Sequence, residues 1–475
     1  MKRRDCLKGS ALLLGGALVS ACDGQSADQG PAAAGAGDDR VTRFDRGTPP
    51  IETSGWVPAA GELKGYSALD GDIDTDVAVV GAGLAGSSLA LHLAEAGLDV
   101  VVLEARQPGW GASGRNAGHV LPTLKNREVF KRFPDGGKQF LDIFRQHHTI
   151  TFDLARKHGI ACDAAQTGYL HATDRASTFE ALSEEADYWQ REQGQRIERV
   201  GTADMARMTG SDYYSHGVWY ASGGRVNPYL LSNGLVAAAV GHGARVFGGT
   251  EALTLTAVGG RWRVSTPAGS VTAQRVVFCT NAYATGIVPA FADSFYPLTA
   301  YGVATQPLPQ AALDLIMPSR ATLAQEPVDL NPMVIDERGR LITSSIPSQR
   351  RPADADWHFK NHLRWIHRTW PQTRDMDIQW QHYWTGRVAL RDQEFPGVYA
   401  VQPGVFGLMH FNAWGNLMAP LMGMLLADGL AHERMDRLPF PLQTPVPVAN
   451  PGKQDLIIRS LLIPAARFGQ RLGMI

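Results

Sequence analysis

A short apolar strand that runs directly into a glycine-rich turn is the feature that most constrains this fold. Residues 76–80 read Asp-Val-Ala-Val-Val, a pattern typical of a strand that is buried on both faces. The turn places Gly81, Gly83 and Gly86 in the spacing G-x-G-x-x-G. A helix pattern rich in alanine and leucine follows, and then a second strand that ends in Glu104. This order predicts the first βαβ unit of a Rossmann-type, dinucleotide-binding domain.

Each glycine of the motif has a separate physical task. Gly81 permits the tight turn, Gly83 lets the backbone approach a pyrophosphate, and Gly86 allows the helix to pack closely against the strand. The helix begins at Leu84 and Ala85, where unpaired N–H groups and a positive partial charge face the phosphates. These residues are therefore predicted to bind the dinucleotide.

The end of the second strand supplies the acidic residue that such a site needs. Glu104 is positioned to accept hydrogen bonds from the hydroxyl groups of an adenosine ribose, with Ala105 beside it. Arg106 keeps NADP open as an alternative, because a cation at this place can meet a 2′-phosphate. The motif by itself does not separate FAD from the nicotinamide dinucleotides.

A second glycine-rich loop follows Glu104 within a few residues. Residues 109–119 read Gly-Trp-Gly-Ala-Ser-Gly-Arg-Asn-Ala-Gly-His. This loop resembles the flavin-side loop of FAD-dependent oxidoreductases related to D-amino acid oxidase, and most closely that of the gamma-glutamylputrescine oxidoreductase branch. The resemblance implies FAD as the cofactor. The residues of this loop that it assigns to FAD are Ser113, Gly114, Arg115, Asn116 and Gly118.

Further segments resemble that family in the same order along the chain. Residues 168–170 and 223–228 are similar to its mid-chain markers, and the strand that leads into Asn281 is similar to its later FAD contact. Residues 384–387 and 414–420 are similar to the segments that close over the flavin. Near the end, the resemblance assigns FAD contacts to Gly415, Asn416 and Leu417.

The resemblance implies an α/β fold in which a Rossmann-type FAD-binding domain is interleaved with an α+β substrate domain. The pieces of the FAD-binding domain are expected at 71–155, 215–295 and 375–440, and those of the substrate domain at 156–214 and 296–374. Residues 441–475 either wrap the body as a C-terminal arm or lie on a membrane, and we favour the arm.

The expected activity is oxidation of the C–N bond of a small amine or amino acid, with hydride transfer to flavin N5. FAD performs the two-electron chemistry, so the protein must mainly position the substrate, stabilise the reduced ring and exclude water. We expect a helix over 416–430, with Pro420 in its first turn, to point its amides at the flavin edge that becomes negative. Oxidation of hydroxy acids or other CH–OH groups, and FAD binding without catalysis, are the alternatives.

Candidate catalytic residues are few. The family usually has Gly-His-Gly where this chain has Ala-Trp-Gly, so Trp414 either stacks on the substrate or packs under the helix. Three alternative roles are open for both His119 and His410: proton acceptor, covalent attachment site of the flavin, or structural residue. Arg387 and Arg391 either clamp a substrate carboxylate or face solvent. Either oxygen or a membrane electron acceptor is expected to reoxidise the flavin.

Charge and motifs argue against other classes of protein. The formal net charge is −1, which leaves no basic surplus for nucleic acid. The sequence shows neither a metal-ligand motif nor a serine nucleophile elbow. Cys162 and Cys279 either pair in an oxidising compartment or, as we expect, remain small buried hydrophobic residues.

The N-terminus has the pattern of a targeting signal. Residues 1–22 combine a basic start, a short apolar run and a small-residue context, which is typical of an export signal. Arg3 and Arg4 resemble the twin-arginine signal, and the sequence before Cys22 resembles a bacterial lipobox with lipidation at Cys22. Residues 23–45 read as a flexible tether. We therefore expect a protein that is lipid-anchored at the periplasmic face of the inner membrane.

The export signal and the lipobox can be tested by substitution. Replacing Cys22 by Ser should remove the anchor and leave a soluble or uncleaved species without lipid, while replacing both Arg3 and Arg4 should leave active enzyme in the cytoplasm. Cell fractionation combined with lipid labelling measures both outcomes. Unaltered membrane attachment of the Cys22→Ser protein would contradict the lipobox interpretation.

Overall fold

The computed structural model describes residues 50–58, 63, 65–124, 127–391 and 395–471. The expected export signal with its lipobox at 1–22 and the tether at 23–45 lie outside the described residues.

The strands are numbered in chain order. They are β1 Gly71–Val80, β2 Val100–Leu103, β3 His119–Val120, β4 Tyr169–Thr173, β5 Ile197–Val200, β6 His216–Tyr220, β7 Gly224–Arg225, β8 Arg245–Phe247, β9 Thr254–Val258, β10 Arg261–Thr266, β11 Gly269–Phe278, β12 Tyr296–Pro307, β13 Thr322–Gln325, β14 Met333–Ile335, β15 Arg340–Ser345, β16 Trp380–Leu390, β17 Gly397–Gln402, β18 Val405–Met409 and β19 Leu442–Gln443.

The α-helices are numbered in the same way. They are α1 Leu84–Glu95, α2 Lys138–His147, α3 Ile150–Lys157, α4 Ala176–Gln193, α5 Thr202–Thr209, α6 Pro228–Gly241, α7 Pro289–Ala292, α8 Gln310–Leu315, α9 Ala355–Thr369, α10 Gly415–Ala431, α11 Pro451–Ile457 and α12 Ile463–Arg471. A π-helical segment, Ile458–Leu462, joins the last two. Short 3₁₀ helices lie at Ile51–Thr53, Ala112–Gly114, Arg127–Arg132, Pro134–Gly137, Asn281–Tyr283, Pro371–Asp375 and Met435–Arg437.

A nine-stranded mixed sheet forms the dinucleotide-binding half. Its order is β19-β17-β18-β11-β1-β2-β8, with β10 paired to β11 and β9 to β10. The central strands β11, β1, β2 and β8 are parallel neighbours. Val77 and Val79 pack on the helix side, whereas Ala78 and Val80 pack on the opposite side, so β1 is buried on both faces as its β-branched pattern predicts.

An eight-stranded sheet forms the second half, in the order β16-β12-β15-β14-β13-β4-β6-β5. Its pairs are antiparallel apart from β13 and β4. Helix α9 packs through Trp365 and Ile366 into the apolar cluster of this half. The mixed α/β class predicted for the chain, with its Rossmann-type half, is therefore confirmed.

The strand pairing differs from the expected domain ranges at three places. Strand β6 lies in 215–295 and β16 in 375–440, both assigned to the FAD-binding domain, yet both pair in the second sheet, β6 with β4 and β16 with β12. Strand β19 lies in the expected C-terminal arm, yet it pairs with β17 in the first sheet. Pairing between strands that are distant in sequence decides these memberships, and the sequence pattern does not encode it locally. The remaining boundaries stay a prediction.

The C-terminal segment first adds β19 to the first sheet and then lies against the second sheet from Ile458 onwards. Ile458 and Ile463 are buried beside Leu298 and Leu390. Arg467 donates hydrogen bonds to the Tyr301 hydroxyl at 3.2 Å and to Ser345 Oγ at 2.9 Å. These contacts are those of an arm that wraps the body. No helix among the described residues has the length and apolar character needed to cross a membrane.

Cys162 and Cys279 are both free and buried. Burial raises the pKa of the Cys162 thiol to about 12 and that of the Cys279 thiol above its usual range. They behave as the small hydrophobic residues that the sequence favoured, not as a disulfide.

The close contact between α1 and β1 depends on Gly86. A Cβ atom added there would lie 1.9 Å from the carbonyl oxygen of Gly81 and 3.2 Å from Cβ of Cys279. The first contact is to backbone, so it cannot be relieved by a side-chain rotation. Only glycine allows the helix to begin this close to the strand.

We therefore expect Gly86→Ala to lower the free energy of unfolding by about 3 kcal/mol or more, the upper range for overpacking. Gly241→Ala is the matched control, because Gly241 is also helical and its added Cβ meets nothing within 4 Å. The control should change stability by no more than about 1 kcal/mol. Urea denaturation of both variants measures this, and equal stability of the two would contradict the packing role.

Candidate active site

A single large cavity lies between the glycine loops of the first sheet and one face of the second sheet, with a volume of about 360 Å³. Twelve of the residues predicted to bind the cofactor line it: Gly81, Gly83, Leu84, Ala85, Glu104, Ala105, Ser113, Arg115, Asn116, Asn281, Gly415 and Asn416. Gly86, Gly114, Gly118 and Leu417 lie behind this lining. Segments that are more than 300 residues apart in sequence thus meet at one site.

Glu104 is held rigidly at the end of β2. One carboxylate oxygen accepts a hydrogen bond from the Ala82 amide at 2.8 Å, and the other accepts one from the Arg106 amide at 2.9 Å. Burial raises the pKa of this carboxyl, while both amides and the Arg106 charge oppose the rise. A carboxylate with lone pairs left over in a cavity suits the two hydroxyl groups of a ribose.

Ser113 joins the two glycine loops. Its hydroxyl oxygen accepts a hydrogen bond from the Leu84 amide at 2.9 Å, at the N-terminus of α1. A Cβ atom added to Gly83 would lie 2.8 Å from that hydroxyl oxygen. Gly83 therefore has no side chain between its backbone and the cavity, and a pyrophosphate can approach the backbone closely.

Arg115 reaches across the cavity wall. Its Nε donates to the Trp110 carbonyl at 2.9 Å and its Nη1 to the Thr385 carbonyl at 3.0 Å, and the guanidinium lies 4.8 Å from the centre of the Trp110 ring. Its buried Nη2 has no hydrogen-bond partner within the described ranges. An orphaned cationic donor in a cavity wall fits the acceptor-rich edge of a bound cofactor.

Asn116 and Asn416 connect the flavin-side loop to helix α10. Their side-chain amides exchange hydrogen bonds at 3.1 and 2.9 Å, and Asn416 also donates to the His119 carbonyl at 2.8 Å. Gly415 begins α10 at the cavity, and an added Cβ there would meet nothing within 4 Å. The positive end of α10 is thereby aimed at open space.

Helix α10 differs from its expected form in one respect. Pro420 lies at its sixth position, not in the first turn. Proline has no N–H to donate to the Asn416 carbonyl, and Thr151 Oγ1 donates to that carbonyl instead, at 2.6 Å. The side chain of Thr151 thus replaces the missing helical hydrogen bond, which allows the helix to start earlier, at Gly415.

The two candidate histidines have different positions. His119 lines the cavity, and its ring nitrogens lie 3.2 and 3.1 Å from the carbonyl oxygens of Ala117 and Leu323. His410 is fully buried away from the cavity, between Ser294 Oγ at 2.9 Å and the Tyr399 hydroxyl at 2.8 Å. Burial lowers the pKa of His119 to about 4 and that of His410 to about 3. Both rings are neutral near pH 7, and His410 is a structural residue.

The two candidate arginines are also separated. Arg387 lines the cavity on β16, where its amide donates to the Tyr283 hydroxyl at 3.2 Å. Arg391 donates instead to the carbonyl groups of Ser294 and Val446, each at 2.8 Å. Arg391 therefore takes neither of the two alternatives considered for it, the carboxylate clamp or the solvent-facing position, because it holds the C-terminal segment in place.

Trp414 lies in the cavity wall, where the family resemblance has histidine, and is 2% exposed. It also belongs to the main apolar core, together with Phe411 and Leu417. Trp414 thus packs in the core under α10 and also reaches the cavity, and stacking on the substrate stays a prediction.

The second sheet contributes wall residues that the sequence did not single out. They are Tyr169, His171, Tyr301, Asp329 and Ser344. No local motif marks them, since each reaches the cavity only through the pairing of distant strands. The sole sequence signal was the marker at 168–170, which contains Tyr169.

One group of potential metal ligands lies outside the cavity, although the sequence shows no metal motif. Glu95, His158 and His242 come together at the ends of α1, α3 and α6, with ligand atoms within 4.8 Å of one another. Lys157 Nζ already lies 2.6 Å from the Glu95 carboxylate. The carboxylate therefore has a cationic partner within the chain.

The fold and this cavity together define a flavoenzyme architecture. The family model for FAD dependent oxidoreductases matches residues 76–429, and the chain belongs to that family. It is an FAD-dependent oxidoreductase, and the family match decides between FAD and the nicotinamide cofactors that Arg106 had left open. The predicted relationship is confirmed.

Relatives cover nearly the whole of this architecture. Gamma-glutamylputrescine oxidoreductase of Escherichia coli (strain K12) is 26% identical over 409 residues, which cover 82% of this chain and 93% of that protein. Probable oxidoreductase OrdL of Rhizobium meliloti (strain 1021) is 25% identical over 398 residues, covering 82% and 90%. Among solved structures, glycine oxidase from Geobacillus kaustophilus has a TM-score of 0.64 at 20% identity, covering 79% and 100%. This last likeness concerns the fold.

Replacing Gly83 by Val should abolish FAD retention, because the added side chain meets Ser113 and separates the backbone from the pyrophosphate. Gly201→Val is the matched control: Gly201 also precedes a helix, its φ is −86° and its added Cβ meets nothing within 4 Å. The FAD content of both purified, folded variants is measured from flavin absorbance. Stoichiometric FAD in the Gly83→Val protein would remove the dinucleotide assignment.

Proposed function

We propose that this protein uses FAD to oxidise the C–N bond of a small amine or amino acid. The observation that carries this proposal is the cavity itself, which runs without interruption from the dinucleotide loops to the face of the second sheet. Similarity over most of the chain to gamma-glutamylputrescine oxidoreductase supports an amine as the substrate class. Bound FAD supplies the two-electron chemistry, accepting hydride at N5 from the carbon beside nitrogen.

The chain itself supplies orientation and electrostatics. The N-terminus of α10 at Gly415 directs a positive partial charge into the cavity, and the Nη2 donor of Arg115 adds a full charge. Both are fixed before substrate binds, because Asn116 locks the loop to Asn416. Preorganised donors of this kind stabilise negative charge without reorganisation during the reaction.

Aromatic side chains form part of the cavity wall, and we expect them to exclude water once FAD and the substrate are bound. Tyr169, Tyr301, Phe411 and Trp414 are each no more than 7% exposed and line the cavity. A dry cavity of this kind disfavours the charged form of a bound amine, unless a carboxylate lies beside its nitrogen. The reacting nitrogen is then neutral, and its lone pair can stabilise the cation that develops on the adjacent carbon.

We also propose the cellular setting that the N-terminal sequence suggests: export, lipidation at Cys22, and attachment to the periplasmic face of the inner membrane. Oxygen or a membrane electron carrier would reoxidise the flavin. The residues that carry the targeting signal, 1–22, lie outside the described residues, so the sequence pattern alone supports this part of the proposal.

An anaerobic substrate screen tests the proposed activity. Holoenzyme is mixed separately with aliphatic amines, amino acids and hydroxy acids, and bleaching of the oxidised flavin is followed. We expect bleaching by members of the first two classes. Bleaching by hydroxy acids alone would replace the proposal with CH–OH oxidation, and no bleaching by any compound would favour a binding protein without catalysis.

The pH dependence is a further expected outcome. Flavin reduction should rise with pH through one ionisation that belongs to the bound amine, because only the neutral amine reacts. His119→Asn and His410→Asn should keep that ionisation, since burial holds the pKa of each imidazole at about 4 and about 3. Stopped-flow rates across pH, on variants that retain FAD, measure this. If either replacement removes the pH dependence together with most of the rate, that histidine is the base.

A further inference from the structure

One acidic side chain lies on the substrate side of the cavity. Of the carboxyl groups that line the described cavity, Glu104 and Glu251 lie at the ribose end, next to the end of β2 and to β8. Asp329 lies on the loop between β13 and β14, in the second sheet. This carboxyl belongs to no motif and has no part in the cofactor site described above.

The cavity arginines do not serve as partners of Asp329. Among the described residues, no arginine acts on the pKa of its carboxyl. Arg115 donates to the Trp110 and Thr385 carbonyls, and Arg106 lies beside Glu104 at the ribose end.

The surroundings of Asp329 leave its charge uncompensated. It accepts a hydrogen bond from the Gln325 amide at 3.3 Å, while burial and the neighbouring Glu326 raise the pKa of its carboxyl well above the usual range. Glu326 has its own partner, because His171 Nε2 lies 3.2 Å from its carboxylate. The imidazole therefore serves Glu326, while Asp329 is met by the backbone amides of Gln325 and Asn331. A carboxylate without a cationic partner is costly to bury.

A bound cation would satisfy this position. Asp329 lines the cavity together with Tyr169, and the two side chains are close enough for the Asp329 charge to act on the Tyr169 hydroxyl. The cation cannot be the reacting nitrogen, since that nitrogen must be neutral to release hydride and a carboxylate stabilises the protonated form. The group that Asp329 recognises is therefore a different nitrogen of the same substrate.

We propose that Asp329 binds a second, protonated amino group of the substrate, so that the preferred substrates are diamines or amines that carry a remote ammonium group. This inference rests on the proposed function and specifies its substrate class. Asp329 acts here as a specificity residue.

Matched pairs of amines test the proposal. FAD-loaded enzyme is titrated anaerobically with α,ω-diamines from propane-1,3-diamine to hexane-1,6-diamine, and with the n-alkyl monoamine of the same carbon count. Binding is read from the flavin spectrum and turnover from its bleaching. At the best chain length the diamine should be favoured by at least about tenfold, as expected for a charge-assisted hydrogen bond. Asp329→Asn should reduce this preference to about twofold, because the diamine loses its ionic contact.

Asp314→Asn is the control, because it removes an exposed carboxylate of the same half. It should keep the preference for the diamine. Equal use of both amines by the wild type overturns the inference while the proposed function stands. A response to no amine or amino acid overturns both.

A loss of both amines in the Asp329→Asn protein overturns the specificity role in favour of a catalytic base. The pH profile for the monoamine separates these cases, since a base would remove its ionisation. The titratable groups that act on Asp329 are Tyr169, Tyr214 and Glu326, and His171 contacts Glu326; all four are retained in the variant.

Discussion

The contact of helix α1 with strand β1 is the constraint on which the rest of the site depends. With Gly86 against the Gly81 carbonyl, the helix starts directly at the end of the strand, and its N-terminal amides open into the cavity. The Ser113 hydroxyl then reaches the Leu84 amide, which brings the second glycine loop alongside the first. A larger residue at Gly86 would move the helix, and the loops would lose their common edge.

A second set of contacts fixes helix α10 beside the two glycine loops. The reciprocal amide pair of Asn116 and Asn416 joins segments that are 300 residues apart, and Thr151 completes the helix where Pro420 cannot. The cavity therefore exists only in the folded chain. Its two walls come from different sheets, which gives the cofactor side and the substrate side separate chemical characters.

Features that depend on neighbouring residues could be predicted from the sequence. Features that depend on the pairing of distant strands could not. The βαβ unit, Glu104 and both glycine loops follow from spacing and turn chemistry, so they were predictable from adjacent residues. Asp329 was not, because only the parallel pairing of β13 with β4 brings its loop beside Tyr169. His410 and Arg391 looked like site residues, yet burial and backbone hydrogen bonds assign them to the structure.

The products of a single anaerobic turnover show whether FAD in this cavity oxidises carbon bonded to nitrogen. Holoenzyme is mixed with a limiting amount of the best acyclic substrate from the screen, and flavin reduction is compared with the amine or ammonia released after hydrolysis of the imine. We expect equal amounts of reduced flavin and released nitrogen. Reduced flavin with a carbonyl product and no released nitrogen would contradict it.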